Sequence, residues 1–113
     1  MNQFKVYQVR PFNNEEINQL NSLGWSKFLE VSEHGRLKLK ENKELEDVEN
    51  MRHVLNIVAN DLEDAFAVGN GFGSKGSEIA RLDTAHSISV GDVIYSVSED
   101  AYYNVDDYGF SKL

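Results

Sequence analysis

Residues 53–73 read HVLNIVANDLEDAFAVGNGFG, and the spacing of their apolar positions changes partway through. From His53 to Ala59, Leu55, Ile57 and Ala59 alternate with Val54, Asn56 and Val58, the two-residue repeat of a strand. From Leu62 the spacing widens to Leu62, Ala65 and Phe66, one face of a helix. Asn60 is placed to cap that helix, Asp61, Glu63 and Asp64 suit the positive end of its dipole, and Glu63 stands at the N3 position of a capping box. Gly69 and Gly71, with Asn70 between them, stop it. A strand feeding into a helix, in a chain of 113 residues, points to a single α+β domain over 1–113.

Upstream, Phe4, Val6 and Gln8 alternate with Lys5, Tyr7 and Val9 in a second strand that Pro11 closes. The run NNEEINQLNSLG then offers Asn13 or Asn14 as a cap and Ile17, Leu20 and Leu23 as an apolar stripe, which predicts a short helix over 14–23 stopped by Gly24. Phe28, Leu29 and Val31, followed by His34-Gly35 and by Leu37 and Leu39 among basic residues, predict a hairpin turning at His34-Gly35. Leu45, Val48 and Met51 fall at helical spacing among acids.

Downstream, 72–84 reads as an irregular, mobile loop. Strands are expected around 87–90, 93–98 and 102–105, with Ser98-Glu99-Asp100 as the turn between the last two. The expected fold is α+β, a small bent antiparallel sheet with two or three short helices packed on one face. Its core is expected to hold Phe4, Val6, Leu20, Leu55, Ile57, Leu62, Phe66, Val90, Val93, Tyr103, Val105 and Phe110. Gly91-Asp92 should form a tight turn or bulge, and Phe110 should tuck under the sheet edge.

Composition narrows the function. Nineteen acids against eleven bases give a formal charge of −8 and a sequence pI near 4.7, which disfavours direct binding to nucleic-acid phosphates. The same charge either keeps a small protein soluble or presents carboxylates where a DNA-handling protein expects phosphates. There is no cysteine, so neither a disulfide nor a thiolate metal site is possible. No signal-peptide core and no apolar run of about 20 residues is present, so the expectation is a cytoplasmic protein without a membrane span.

The sequence holds fragments of chemistry but no complete motif. Gly69–Gly76, GNGFGSKG, has phosphate-loop composition, yet it follows a helix, where free carbonyls rather than N–H groups point outward. His34, His53 and His86 lack metal-ligand spacing. Ser87, Ser89, His86 and Asp92 supply hydrolase residue types without a nucleophile elbow. No catalytic, cofactor or metal residue is therefore assigned, and the protein is not expected to be an enzyme. The acid run from Glu41 to Asp64 reads as a solvated helical face or as a docking surface for a basic groove. The tyrosine-rich tail has Glu99, Asp100, Asp106 and Asp107 around its rings, which suits a protein-facing patch better than a platform for single strands. The candidate partner-binding residues are Glu44, Asp47, Asp64, Tyr102, Asp106, Asp107 and Tyr108.

The closing segment HSISVGDVIYSVSEDAYYNVDDYGFSKL resembles the closing cassette of small, largely uncharacterised proteins encoded by bacteriophages and other mobile elements. The likeness rests on Val90-Gly91-Asp92-Val93, Tyr103 and Val105, and Gly109, Phe110 and Leu113. The upstream segment VANDLEDAFAVGN is similar to the helix that precedes that cassette, through Leu62, Glu63, Ala65 and Phe66. Residues 11–52 have no counterpart in it. The resemblance implies an accessory protein that binds and redirects a host protein, such as a DNA-handling enzyme, a defence system or RNA polymerase. The alternative expectation is a structural homo-oligomer, a homodimer for instance, joined through a C-terminal edge strand.

Overall fold

Phe4, Val6 and Gln8 leave one side of the first strand and Lys5 and Tyr7 leave the other, and the fold is organised around that division. The computed structural model describes all of residues 1–113. Its elements are β1 (Asn2–Gln8), α1 (Asn14–Val31), α2 (Glu33–Leu39), a 3-10 segment (Leu45–Asn50), β2 (Arg52–Ala59), α3 (Leu62–Gly69), β3 (Glu78–Arg81), β4 (Val93–Ser96), β5 (Ala101–Val105) and β6 (Phe110–Lys112). The strands form one open sheet in the order β3-β2-β1-β4-β5-β6, antiparallel at every pairing. No helix is long and apolar enough to cross a membrane.

One face of the sheet carries the core. Phe4 lies opposite Ile57 and Ser96, and Val6 opposite Leu55 and Ile94. These side chains pack with Val105, with Ala65 and Val68 of α3, and with Ile88. A bulge between Val6 and Tyr7 shifts the register by one residue, so that Tyr7 meets His53 and Val54 becomes an extra core residue. Phe110 meets Phe66 edge-on at 6.2 Å, the expected ring beneath the sheet edge. Of the expected core, Phe4, Val6, Leu55, Ile57, Val93 and Val105 are buried, while Leu20, Leu62, Phe66, Tyr103 and Phe110 are half-buried.

Several local expectations are corrected. The α3 cap is displaced by one residue from Asn60 and Glu63: the Asp61 carboxylate accepts from Asp64 N–H, and Asp64 accepts from Asn60 N–H, both at 2.8 Å. Residues 87–90 are not a strand. The segment is instead held over the core by side chains, with Ile88 N–H donating to Asn70 Oδ1 at 2.6 Å and Asn70 Nδ2 to the Ile88 carbonyl at 3.1 Å. Ile88 is buried there and Val90 is exposed. Gly69 makes room for this contact: a Cβ there would lie 2.2 Å from Ile88 Cδ1, so any larger residue would have to displace Ile88. Within the expected irregular loop, β3 pairs with the outer edge of β2, with Ile79 opposite Ile57.

The expected hairpin over 28–40 is helical. Gly24, at φ 77°, breaks α1 where a stop was expected, but helical structure resumes at once and runs to Val31. Ser32 then accepts from Gly35 N–H at 2.9 Å and caps α2. Gly35 is a packing glycine rather than a turn glycine: a Cβ there would lie 2.7 Å from Phe28 Cε2. Phe28 is fully buried among Phe12, Trp25 and His34, so the helical pair has a small core of its own. α1 packs chiefly on α2, and the molecule measures 48 × 24 × 23 Å.

Candidate functional site

The second face of the sheet, on the Tyr7 side, has no helix across it. Only Leu37 and the 3-10 segment cover one corner, where Val9, Met51 and Val93 are buried beneath Val48 and Leu113. Four rings run in a row from that corner across the face, Tyr7 and Tyr102 packing against the buried cluster. His53 stacks on Tyr7 at 5.2 Å, Tyr7 lies 5.9 Å from Tyr102, and Tyr102 lies 4.5 Å from Tyr95. Register produces the row: His53 and Tyr7 face each other across β2 and β1, as do Tyr95 and Tyr102 across β4 and β5. The Lys5 ammonium sits 5.8 Å from the Tyr95 ring centroid, a cation already resting on this aromatic surface.

The 3-10 segment is fixed against the row by polar bonds. Asn104 of β5 accepts from Lys43 N–H at 2.8 Å and donates to the Glu41 carbonyl at 2.9 Å. Asp47 accepts from Glu44 N–H and pairs with Lys40, both at 2.8 Å. Burial pushes the Asp47 carboxyl up, but the Lys40 ammonium and the Glu44 amide together bring it below its usual range. Beside the segment lies a recess of about 350 Å3 lined by Tyr7, Leu45, Val48, Glu49 and Tyr102. It shares Leu45 and Glu49 with a shallow groove that Glu44 and Glu46 complete. Neither Glu46 nor Glu49 has an ion-pair partner, and Glu44 reaches Lys40 at 3.6 Å.

At the other end of the row the Tyr95 hydroxyl donates to Asp100, and that bond pushes its pKa up to about 12. On the opposite face of β5 the Tyr103 hydroxyl donates to Glu99 at 3.0 Å and is also shifted upward. Burial, followed by its neighbour Tyr102, raises Tyr7. The raised Tyr7 and Tyr95 hydroxyls stay protonated near neutral pH, so these two rings of the row are neutral.

The seven candidate residues therefore fall into groups. Glu44 and Tyr102 lie on the open face, and Asp47 lies in the same segment but is occupied by Lys40 and the Glu44 amide. Asp64 is at the start of α3, across the sheet, bonded to Asn60 N–H and Ser74. Asp106 is engaged within the β5–β6 turn by Asn104 and Ser111. Asp107 and Tyr108 are at the tip of that turn, where Tyr108 is 98% exposed. Tyr7 and Leu45 are not expected in the site from the sequence, whereas Glu46 and Glu49 belong to the acid run and Tyr95 to the tyrosine-rich tail without being among the seven candidates. Alternation does place Tyr7 opposite to Phe4 and Val6, but the strand order that sets it near Tyr102 has no local signature.

The other titratable cluster has a structural arrangement. Buried Gln8 donates to Asp92 at 3.0 Å and to the His86 carbonyl at 2.9 Å, and Asp92 also accepts from Ser89 N–H at 3.0 Å. Burial raises the Asp92 carboxyl and lowers the Lys43 ammonium. The His86 ring bonds to the Ser87 carbonyl, and neither the Ser87 nor the Ser89 hydroxyl bonds to His86 or Asp92. His34 and His53 lie elsewhere, against Phe12 and Tyr7.

No protein-family model matches the chain, and no curated protein or solved structure is significantly similar to it. The likeness to small phage proteins thus rests on the quoted residues alone.

Proposed function

We propose that this chain is a non-enzymatic interaction protein that captures a basic segment of another protein on the open face of its sheet. The observation that carries this reading is the junction of a half-buried tyrosine row, with no helix over it, and the exposed carboxylates of Glu44, Glu46 and Glu49. Apolar rings supply contact area, carboxylates supply charge selection, and together they favour a cationic protein surface over phosphate. In keeping with the resemblance to mobile-element proteins, the partner belongs to a host cell, acts in its cytoplasm and carries a basic groove of the kind that holds nucleic acid. Asp107 and Tyr108 form a second exposed contact at the β5–β6 tip. A homo-oligomer joined through the C-terminal edge would have to use β6, three residues long and ending in Lys112, and short lysine-bearing edges resist pairing.

Affinity capture from host lysate at low and high salt tests the reading. A specific partner should be retained at low salt and released at high salt. Reversing Glu44, Glu46 and Glu49 to Lys should weaken its binding on the order of tenfold. A partner that binds the reversed protein equally well would remove the open face from consideration.

A further inference from the structure

We infer that the recess between Tyr7, Tyr102 and Glu49 is an arginine-binding cage, the anchor point for the basic segment proposed above; the inference rests on that reading and assigns it a residue type. Two tilted rings, at 5.9 Å and 56°, form a wedge of neutral π surface. Leu45 and Val48 make its aliphatic wall, and the unpaired Glu49 carboxylate stands at its margin. That combination matches a guanidinium group, which lays its flat face on a ring while its edge N–H groups donate to a carboxylate. An ammonium ion is more strongly hydrated and cannot do both at once in a plane.

The molecule already shows that its ring surface accepts a cation, with Lys5 over Tyr95 at the far end of the row. Lys5 occupies that end, whereas no cationic side chain of the chain lines the recess. The protein's net charge of −8 adds long-range attraction for a basic segment. The recess would seat the single arginine, and Glu44 and Glu46 along the adjoining groove would meet neighbouring basic residues.

Three matched glycine-spaced peptides carrying three arginines, three lysines or three citrullines separate the possibilities when titrated into the full chain by calorimetry, with chemical shifts of the Tyr7 and Tyr102 rings followed by NMR. The arginine peptide should bind about fivefold more tightly than the lysine peptide, and the citrulline peptide should not bind measurably. Glu49→Gln should remove most of the arginine preference, weakening the arginine peptide more than the lysine peptide. Tyr102→Leu should do the same and abolish the ring shifts. Should that variant unfold, Glu49→Gln, on an exposed side chain, still decides the matter. Equal binding of arginine and lysine peptides overturns the cage while leaving the acidic-face reading intact, and so does an arginine preference that survives Glu49→Gln. Failure of both basic peptides to bind overturns cage and acidic face together.

Discussion

The two faces of the sheet are built from adjacent residues of the same strands, yet they differ in kind. Phe4, Val6, Ile57 and Ile94 point into a face sealed by α3 and Ile88, whereas Lys5, Tyr7, Tyr95 and Tyr102 point onto a face sealed only at one corner. The closed face is packed with aliphatic side chains and phenylalanines, which need no hydrogen bonds. The open face carries tyrosines, whose rings cover area while a hydroxyl such as that of Tyr95 finds a polar partner. One period-two alternation thus separates folding from recognition. One truncation on each face tests that division. Ile57→Ala should cost about 2–5 kcal/mol in urea denaturation. Tyr102→Leu should cost about 1 kcal/mol or less, the size of a cross-strand pair. Equal losses would mean that the open face is as much core as the closed one.

Asp92 tests the closed side differently, because it is a carboxyl inside the folding half. Burial raises its pKa above 3.8, opposed by Ser89 N–H, His86, Gln8 and Lys43. The folded chain therefore keeps this proton to higher pH than the unfolded chain does. Its contribution to stability is fully present below 3.8 and is lost as pH rises through the folded value. Asp64 runs the other way: bonds from Asn60 and Ser74 lower its pKa, so its stabilising contribution is lost on acidification. Subtracting the stability of Asp92→Asn from that of the native chain at each pH isolates the Asp92 term. The difference should decline as pH rises above about 4, and a flat difference would show that Asp92 is not desolvated.

Much of the closed face was legible in the sequence, because alternation in β1 and β2 and the period change at Asn60 are local signals. Phe28 and Gly35 were misread for an equally physical reason. Leu37 and Leu39 satisfy strand alternation as well as a helical turn, and the choice is made by Ser32 capping Gly35 and by Phe28 closing on the Gly35 backbone. β3 was illegible because its place depends on β2 having a free edge rather than on its own side chains, all of which are exposed. The open face was half legible: Glu44 and Tyr102 were singled out, but Tyr7 joins them only through a strand order in which β4 lies between β1 and β5.

Glu46→Gln and Glu49→Gln alter exposed carboxylates without ion-pair partners, and such surface changes move stability by no more than about 0.5 kcal/mol. Urea denaturation of the double variant should therefore overlay that of the native chain. If the open face exists for recognition, the same two substitutions must still weaken capture of a basic partner and flatten its salt dependence, since two charges fewer face it. A stability loss above 1 kcal/mol would assign these carboxylates to folding instead. Unchanged stability with unchanged capture would reduce them to solubilising charge. Only weakened capture on an undisturbed fold is consistent with a sheet that keeps its core on one face and its contacts on the other.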